Sequence, residues 1–184
     1  MPQPDFSIYN NSWYSSGRSR FIEALWFFIG LPILRSRLIP SSSLRAGVLR
    51  LFGAKLGKGV VFKPGVRIKY PWLFSVGDYS WVGEDVWIDN LALVSIGANV
   101  CVSQGAYLCT GNHNWSDPAF GLFVKPIELE DGAWIGGRVV ICPGVRVEQC
   151  GVVVAGSVVT KDVLAFEIHF GNPARLLRRR EFHI

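Results

Sequence analysis

Histidine is scarce in this chain, three residues in 184, and so is charge, at 18% of positions against 49% hydrophobic. The four cysteines (Cys101, Cys109, Cys142, Cys150) form no CxxC pair, and no histidine stands at ligand spacing from them, so no metal is expected. They read as small hydrophobes, reduced, in a cytoplasmic protein. The low charge and high apolar content exclude global disorder, and the length suits one domain with a real core. The net charge of +5 comes from arginines near the two ends: Arg18, Arg20, Arg35, Arg37, Arg45 and Arg50, then Arg175, Arg178, Arg179 and Arg180. No basic-aromatic pattern runs through the middle, so no nucleic-acid partner is expected; basic ends suit a solvated rim, a phosphate ligand or an anionic membrane surface. Long apolar runs are missing too. The best one, Phe21–Leu34, contains Glu23 and Pro32 and is too short to span a bilayer. RSRLIPSSS follows it where a signal peptide would have a small-residue cleavage site.

What the chain does have is a period of six. Large apolar residues recur at Leu56, Phe62 and Ile68; at Val76, Val82 and Ile88; at Ile96, Val102 and Leu108. After a gap the count resumes at Leu129, Ile135, Ile141, Val147, Val153 and Val159. Glycines fall beside many of these residues or three places on, and small or β-branched residues four places on. Six is neither the helical period nor simple alternation. It fits a short strand and a tight corner, repeated as a solenoid whose coils bury their inner faces only against one another. A Val/Gly-rich sandwich has no reason to hold that phase from Leu129 to Val159.

Three regions follow. Residues 1–52 comprise a polar arm with scattered aromatics, the apolar segment Phe21–Leu34, and a short helix over Ser41–Phe52 capped by Ser42 or Ser43. The apolar segment either caps the open end of the solenoid or, rimmed by Arg18, Arg20, Arg35 and Arg37, rests on a membrane surface through 21–37. Residues 53–164 carry the repeats, broken by an ejected loop over 114–126. Residues 165–184 leave the repeat, and Ala174–Phe182 reads as a short basic helix, with Asn172 capping it and Pro173 at its first position.

His113 is the leading catalytic candidate. It stands in TGNHNWSDP, at the last corner before the ejected loop, among Asn112, Asn114, Ser116 and Asp117. Imidazole titrates near neutrality and can take a proton from a hydroxyl; Asp117 could orient it. His169 and His183 lie in the tail. Trp81 and Trp87 end their hexads and should face outward. With Trp72 and Trp115 they mark an interface, an acceptor surface, or residues covered by the N-terminal segment.

The repeats, with AWIGGRVVICPGVRV (Ala133–Val147), VVAGSVVTKDV (Val153–Val163) and FGNPARLL (Phe170–Leu177), resemble the hexapeptide-repeat acyltransferases. RLFGAKLGKGVVFKPGVRIKYPWLFSVGDYSWVGEDV and YLCTGNHN look especially like the colanic-acid-type enzymes of exopolysaccharide assembly. The resemblance implies an all-β fold: a left-handed parallel β-helix with three hexads per coil, an N-terminal helical segment and a short C-terminal helix. It implies an acetyl-CoA-dependent O-acetyltransferase acting on a sugar hydroxyl, with His113 as general base and no acyl-enzyme. It implies a homotrimer whose active sites are shared by neighbours. Trp134, Gly136 and Gly137 would line the inner end of the CoA groove, Ala155 and Gly156 its arm, and Thr160 and Lys161 its outer end. Asn172, Pro173 and Arg175 would form the turn near the nucleotide. Many relatives have Ser or Ala where Gly137 stands. Asp89, Asn90, Asn112, Trp115 and Asp117 are the candidate acceptor contacts. The rivals are acetylation of a xenobiotic or other small molecule, and a non-catalytic β-helix scaffold. A three-histidine metal enzyme of the carbonic anhydrase type lacks enough histidines in its coils.

Overall fold

A computed structural model of the chain describes residues 3–182, so His183 lies outside the described residues. The hexads become short strands joined by corners. The first coil holds β1 (Lys55–Leu56), β2 (Val61–Phe62) and β3 (Arg67–Ile68); the second β4 (Phe74–Val76), β5 (Trp81–Val82) and β6 (Trp87–Asp89); the third β7 (Val94–Ile96), β8 (Cys101–Val102) and β9 (Tyr107–Cys109). A hairpin of β10 (Gly111–His113) and β11 (Leu122–Val124) then leaves the stack. The fourth coil is β12 (Ile127–Leu129), β13 (Trp134–Ile135) and β14 (Val140–Ile141), and the fifth is β15 (Arg146–Val147), β16 (Val152–Val153) and β17 (Val158–Val159).

Each strand pairs in parallel with the strand three hexads later, which builds three faces. On the first face Leu56, Val76, Ile96, Leu129 and Val147 stack in register. Phe62, Val82, Val102, Ile135 and Val153 do so on the second, and Ile68, Ile88, Leu108, Ile141 and Val159 on the third. All are buried except Leu56, which is partly buried against the same core. The corners need glycine where coils nearly touch: a Cβ on Gly77 would sit 2.6 Å from the Ala98 nitrogen. The stacked coils expected from the period, and the parallel β-helix implied by the resemblance, are the fold observed.

The two ends are closed differently. At the N-terminal end, α1 (Arg20–Leu25), a π-helical turn (Trp26–Gly30), α2 (Leu31–Arg35) and α3 (Ser42–Leu51) pack on the first coil. Trp26 turns inward, donates from Nε1 to the Ile68 carbonyl at 3.0 Å, and meets Phe52 edge-on at 5.1 Å. Gly30 makes room for it; a Cβ there would fall inside the indole's contact distance. Leu34 is buried as well, whereas Phe21, Phe27, Phe28 and Ile29 are exposed. The segment therefore packs on the solenoid through one face and leaves an aromatic face outside. Ser41, not Ser42 or Ser43, caps α3, accepting from the Leu44 amide at 3.2 Å; Ser42 Oγ instead accepts from the Phe62 amide. Among the described residues, no helix is long and apolar enough to cross a membrane.

The expected C-terminal helix is absent. Residues 167–179 form a hairpin of β18 (Glu167–Gly171) and β19 (Ala174–Arg179), and β18 extends the second face beside β16. The reason is the open sheet edge: β16 would otherwise expose unpaired backbone groups, and a strand satisfies them where a helix cannot. Asn172 and Pro173 make the hairpin turn instead of starting a helix.

Candidate active site

The excursion carrying His113 is more ordered than a loop, and it begins at Gly111, ahead of the expected 114. Its neck is held by Thr110, which is fully buried. Thr110 Oγ1 accepts from the Ala92 amide at 2.9 Å and donates to the Asp89 carbonyl at 3.1 Å, and the Thr110 carbonyl accepts from the Lys125 amide at 2.8 Å. Both ends of the hairpin are thereby anchored on the third coil, and coils three and four stack as if nothing lay between them.

His113 is half-buried at the end of β10, opposite Leu122. Its Nδ1 lies 2.8 Å from the Phe120 carbonyl, which can only accept. The neutral ring therefore carries its proton on Nδ1, and Nε2 presents a lone pair. Phe120 also stacks on the imidazole, centroids 4.4 Å apart and planes 8° from parallel. Phe120 reaches this position with φ +51°, at the tip of a turn. Asp117 builds that turn and does not touch His113: its carboxylate accepts from the Ala119 amide at 3.0 Å, and its carbonyl from the Phe120 amide at 2.8 Å. The carbonyl of Phe120 does the orienting that the sequence reading gave to Asp117.

The N-terminal arm completes the surroundings. The Asp5 amide donates to Pro118 at 2.8 Å, Phe6 meets Phe120 edge-on, and the Tyr9 ring lies 5.7 Å from His113. The sequence showed aromatics in this arm but gave no period to place them. Asn112 is exposed, and its side-chain oxygen accepts from the His113 amide; Trp115 is 77% exposed at the hairpin tip.

Of the acceptor candidates on the coils, only Asp89 is accessible. It pairs with Lys69 at 3.0 Å and lies 3.4 Å from the Tyr107 hydroxyl, whose pKa is pushed up chiefly by burial. Tyr14 and Tyr70, nearby, are raised for the same first reason, with the charges of Glu23 and Asp89 adding to it. Asn90 is fully buried. Its Oδ1 accepts from the Lys69 and Tyr70 amides, and its Nδ2 donates to the Tyr70 and Leu73 carbonyls. It is a fastener for the turn Pro71–Leu73 and offers nothing to a solute.

The candidate donor residues fall on two edges. Trp134, Gly136, Gly137, Ala155 and Gly156 follow one another along the edge between the second and third faces. The Gly171 amide donates to Ser157 Oγ at 3.1 Å, which brings the turn of Asn172, Pro173 and Arg175 to the same edge. Trp134 stands outward, its Nε1 donating to Ser103 at 3.0 Å. Around Gly156 a Cβ would meet nothing within 4 Å, and the amides of Gly137 and Ala155 have no acceptor among the described residues. An open, shallow edge with free N–H donors suits a flexible chain bearing amide carbonyls. Thr160 and Lys161 lie elsewhere, on the edge between the third and first faces, where the His113 hairpin also departs. Within one chain, His113 and Gly136–Gly137 are on different edges. Among the described residues, no three His, Cys, Asp or Glu side chains converge as for a metal.

The chain belongs to the hexapeptide-repeat acetyltransferases. It is 44% identical over 136 residues, 74% of this chain and 75% of the relative, to an Escherichia coli K12 protein named for colanic acid biosynthesis, the acetyltransferase WcaF. The solved hexapeptide-repeat acetyltransferase VCA0836 of Vibrio cholerae, complexed with acetyl-CoA, superposes with a TM-score of 0.80 at 28% identity, over 88% of each chain. A maltose O-acetyltransferase from Clostridium difficile 630 gives 0.77 at 25% identity, over 89% of this chain and 90% of its own. No model of a protein family matches.

Proposed function

We propose that this protein transfers an acetyl group from acetyl-CoA to a sugar hydroxyl, in exopolysaccharide or related glycan biosynthesis, with His113 as the general base. The observation that carries this is the Nδ1–H donation to the Phe120 carbonyl, which leaves Nε2 as a fixed lone pair beside an open edge. Nε2 takes the proton of the acceptor hydroxyl as its oxygen attacks the thioester carbon. The tetrahedral oxyanion is met by a backbone N–H, for which Gly137 is the candidate. Collapse expels the CoA thiolate, which takes up the proton from His113. A thioester is already activated, so no covalent enzyme intermediate is needed. The CoA arm follows Trp134, Gly136, Gly137, Ala155 and Gly156 toward the turn at Asn172, Pro173 and Arg175. Lys161 and Arg175 meet its phosphates.

The separation of His113 from Gly137 onto different edges supports a homotrimer whose sites lie between neighbours. The outward row of the second face, Val61, Trp81, Cys101, Trp134 and Val152, is apolar, with Trp81 57% and Trp134 48% exposed, as a contact between copies requires. Thr160 and Lys161 then reach a neighbour's bound CoA together with His113. In this reading the enzyme is cytoplasmic. The exposed face of Phe21, Phe27, Phe28 and Ile29, with Arg18, Arg20 and Arg35 beside it, supports peripheral contact with the membrane's inner surface.

The test is thiol release from acetyl-CoA across nucleotide sugars, lipid-linked sugars and simple acceptors, for wild type and His113→Ala. Turnover confined to one sugar class, lost by about 100-fold or more in a variant with an unchanged melting temperature, establishes the reaction. Turnover on xenobiotic acceptors alone establishes the small-molecule rival. Absence of CoA binding leaves a scaffold.

A further inference from the structure

The N-terminal arm is pinned to both ends of the His113 hairpin. At the tip, the Asp5 amide donates to the Pro118 carbonyl at 2.8 Å. At the base, the Tyr14 hydroxyl donates to the Leu91 carbonyl at 2.9 Å. Leu91 packs so closely on Gly111, the first residue of the hairpin, that a Cβ there would sit 2.5 Å from its Cδ1. Past that point the Trp72 indole donates to the Ser16 carbonyl at 2.7 Å, and Ser16 is buried. The arm therefore follows the hairpin from tip to base. Tyr9 lies between the two pins, and of residues 3–13 it alone is not exposed.

The run DFSIY (Asp5–Tyr9) explains why. Asp5 caps a single 3-10 turn, Phe6–Ile8, its carboxylate accepting from the Ser7 amide at 3.0 Å, and the Tyr9 amide donates to the Phe6 carbonyl at 3.3 Å. Residues three apart in such a turn are eclipsed, so Phe6 and Tyr9 stand on one side of it. They meet the two members of one stack: Phe6 lies edge-on to Phe120 at 5.3 Å, and Tyr9 lies against His113 at 5.7 Å. Phe120 is a flat plate, 8° from the imidazole plane, and a ring can slide along a single plate. Tyr9 is tilted 54° to the imidazole. Two surfaces that are not parallel leave a ring less freedom than either alone, and Phe6 braces the plate itself.

We propose that Tyr9 is a positioning residue for His113: the arm holds the imidazole on Phe120, so that the Nδ1 proton stays on the Phe120 carbonyl and Nε2 stays the free nitrogen. This rests on the reading of His113 as general base. It adds to that base a support from a part of the chain outside the repeats.

The experiment compares wild type, Tyr9→Ala and Tyr9→Phe in the full chain. Tyr9 lies outside the core of the coils, so all three should share one melting temperature. Tyr9→Ala should lower kcat about tenfold with the KM for acetyl-CoA unchanged, and Tyr9→Phe should restore most of it, because the ring and not the hydroxyl makes the contact. Combined with Phe120→Ala, the loss should fall well short of about a hundredfold, since both rings act through one imidazole. Nitrogen-15 spectra of histidine-labelled protein give a readout that needs no turnover. Wild-type His113 should show one tautomer, protonated at Nδ1; Tyr9→Ala should mix in the other and leave His169 unmoved, with His113→Ala identifying the signals. A Tyr9→Phe as slow as Tyr9→Ala, or a raised acceptor KM at unchanged kcat, would make Tyr9 an acceptor contact and overturn the proposal. Losses that multiply in the double variant overturn it too. If the general-base reading alone fails, no acceptor turns over but the His113 tautomer still responds to Tyr9→Ala. If the positioning role alone fails, Tyr9→Ala turns over like wild type and the His113 signals do not move.

Discussion

The ring of Phe120 lies flat on the imidazole of His113, 8° from parallel, while the carbonyl of the same residue accepts the imidazole's Nδ1 proton at 2.8 Å. One residue thus sets both the plane of the ring and its tautomer. Phe120→Ala removes the plate and keeps the carbonyl. It should lower kcat about tenfold with CoA affinity unchanged, because the ring can then rock away from the attack geometry. Single-turnover kinetics checks this; an unchanged kcat would show that the carbonyl alone suffices.

A site split between neighbours predicts complementation. His113→Ala supplies an intact donor edge, and Gly137→Leu supplies an intact histidine. The Gly137 position tolerates a side chain, since a Cβ there meets only Gln104 at 3.5 Å. Each variant alone should be inactive. Co-refolded one to one, about a quarter of the sites pair a good histidine with a good groove, and activity should return to about that fraction of wild type. A site built within one chain would return none.

Asn90 makes a prediction about folding that is separate from catalysis. Asn90→Ala leaves the Tyr70 amide and the Leu73 carbonyl without a partner, while the Lys69 amide keeps Ile88 and the Tyr70 carbonyl keeps the Leu73 amide, and should cost about 2–3 kcal/mol of stability. Chemical denaturation reads the loss. Were Asn90 an acceptor contact, KM would rise with stability unchanged.

The period of six made the solenoid, its core and the stacking of every third hexad legible, because each coil buries the same kind of residue at the same place. The place of His113 at a break in that count was legible for the same reason. What supports His113 was not. Phe120 acts through a backbone carbonyl that any residue has, and Asp117, the residue whose chemistry drew notice, is used to fold the turn. Asn90 was misread because asparagine looks the same whether it serves a ligand or the backbone; only burial distinguishes the two. The tail read as a helix because local signals at Asn172–Pro173 outvoted the open edge of β16, which is a property of the assembled sheet.

That edge carries an acid-sensitive contact. His169 Nε2 donates to the Glu167 carboxylate at 2.8 Å, and this hydrogen bond holds the Glu167 pKa below the ordinary glutamate value. A carboxylate whose folded pKa is depressed stabilises the fold above its unfolded pKa, and that contribution is lost as pH falls through the folded value. The β18–β19 hairpin should therefore loosen as pH drops below about 4. Hydrogen exchange of its amides against pH is the measurement, and Glu167→Gln should flatten the profile.

The buried Thr110 seals the neck of the His113 hairpin so well that Ile96 and Leu129, thirty-three positions apart in the chain, meet as neighbours in the ladder. The solenoid is indifferent to what is threaded between them. Such a chain can lengthen or refurnish the hairpin beyond His113 while Thr110 keeps the coils stacked as they are. Divergence in what is acetylated can then proceed on one appendage while the machinery for the donor is inherited unchanged.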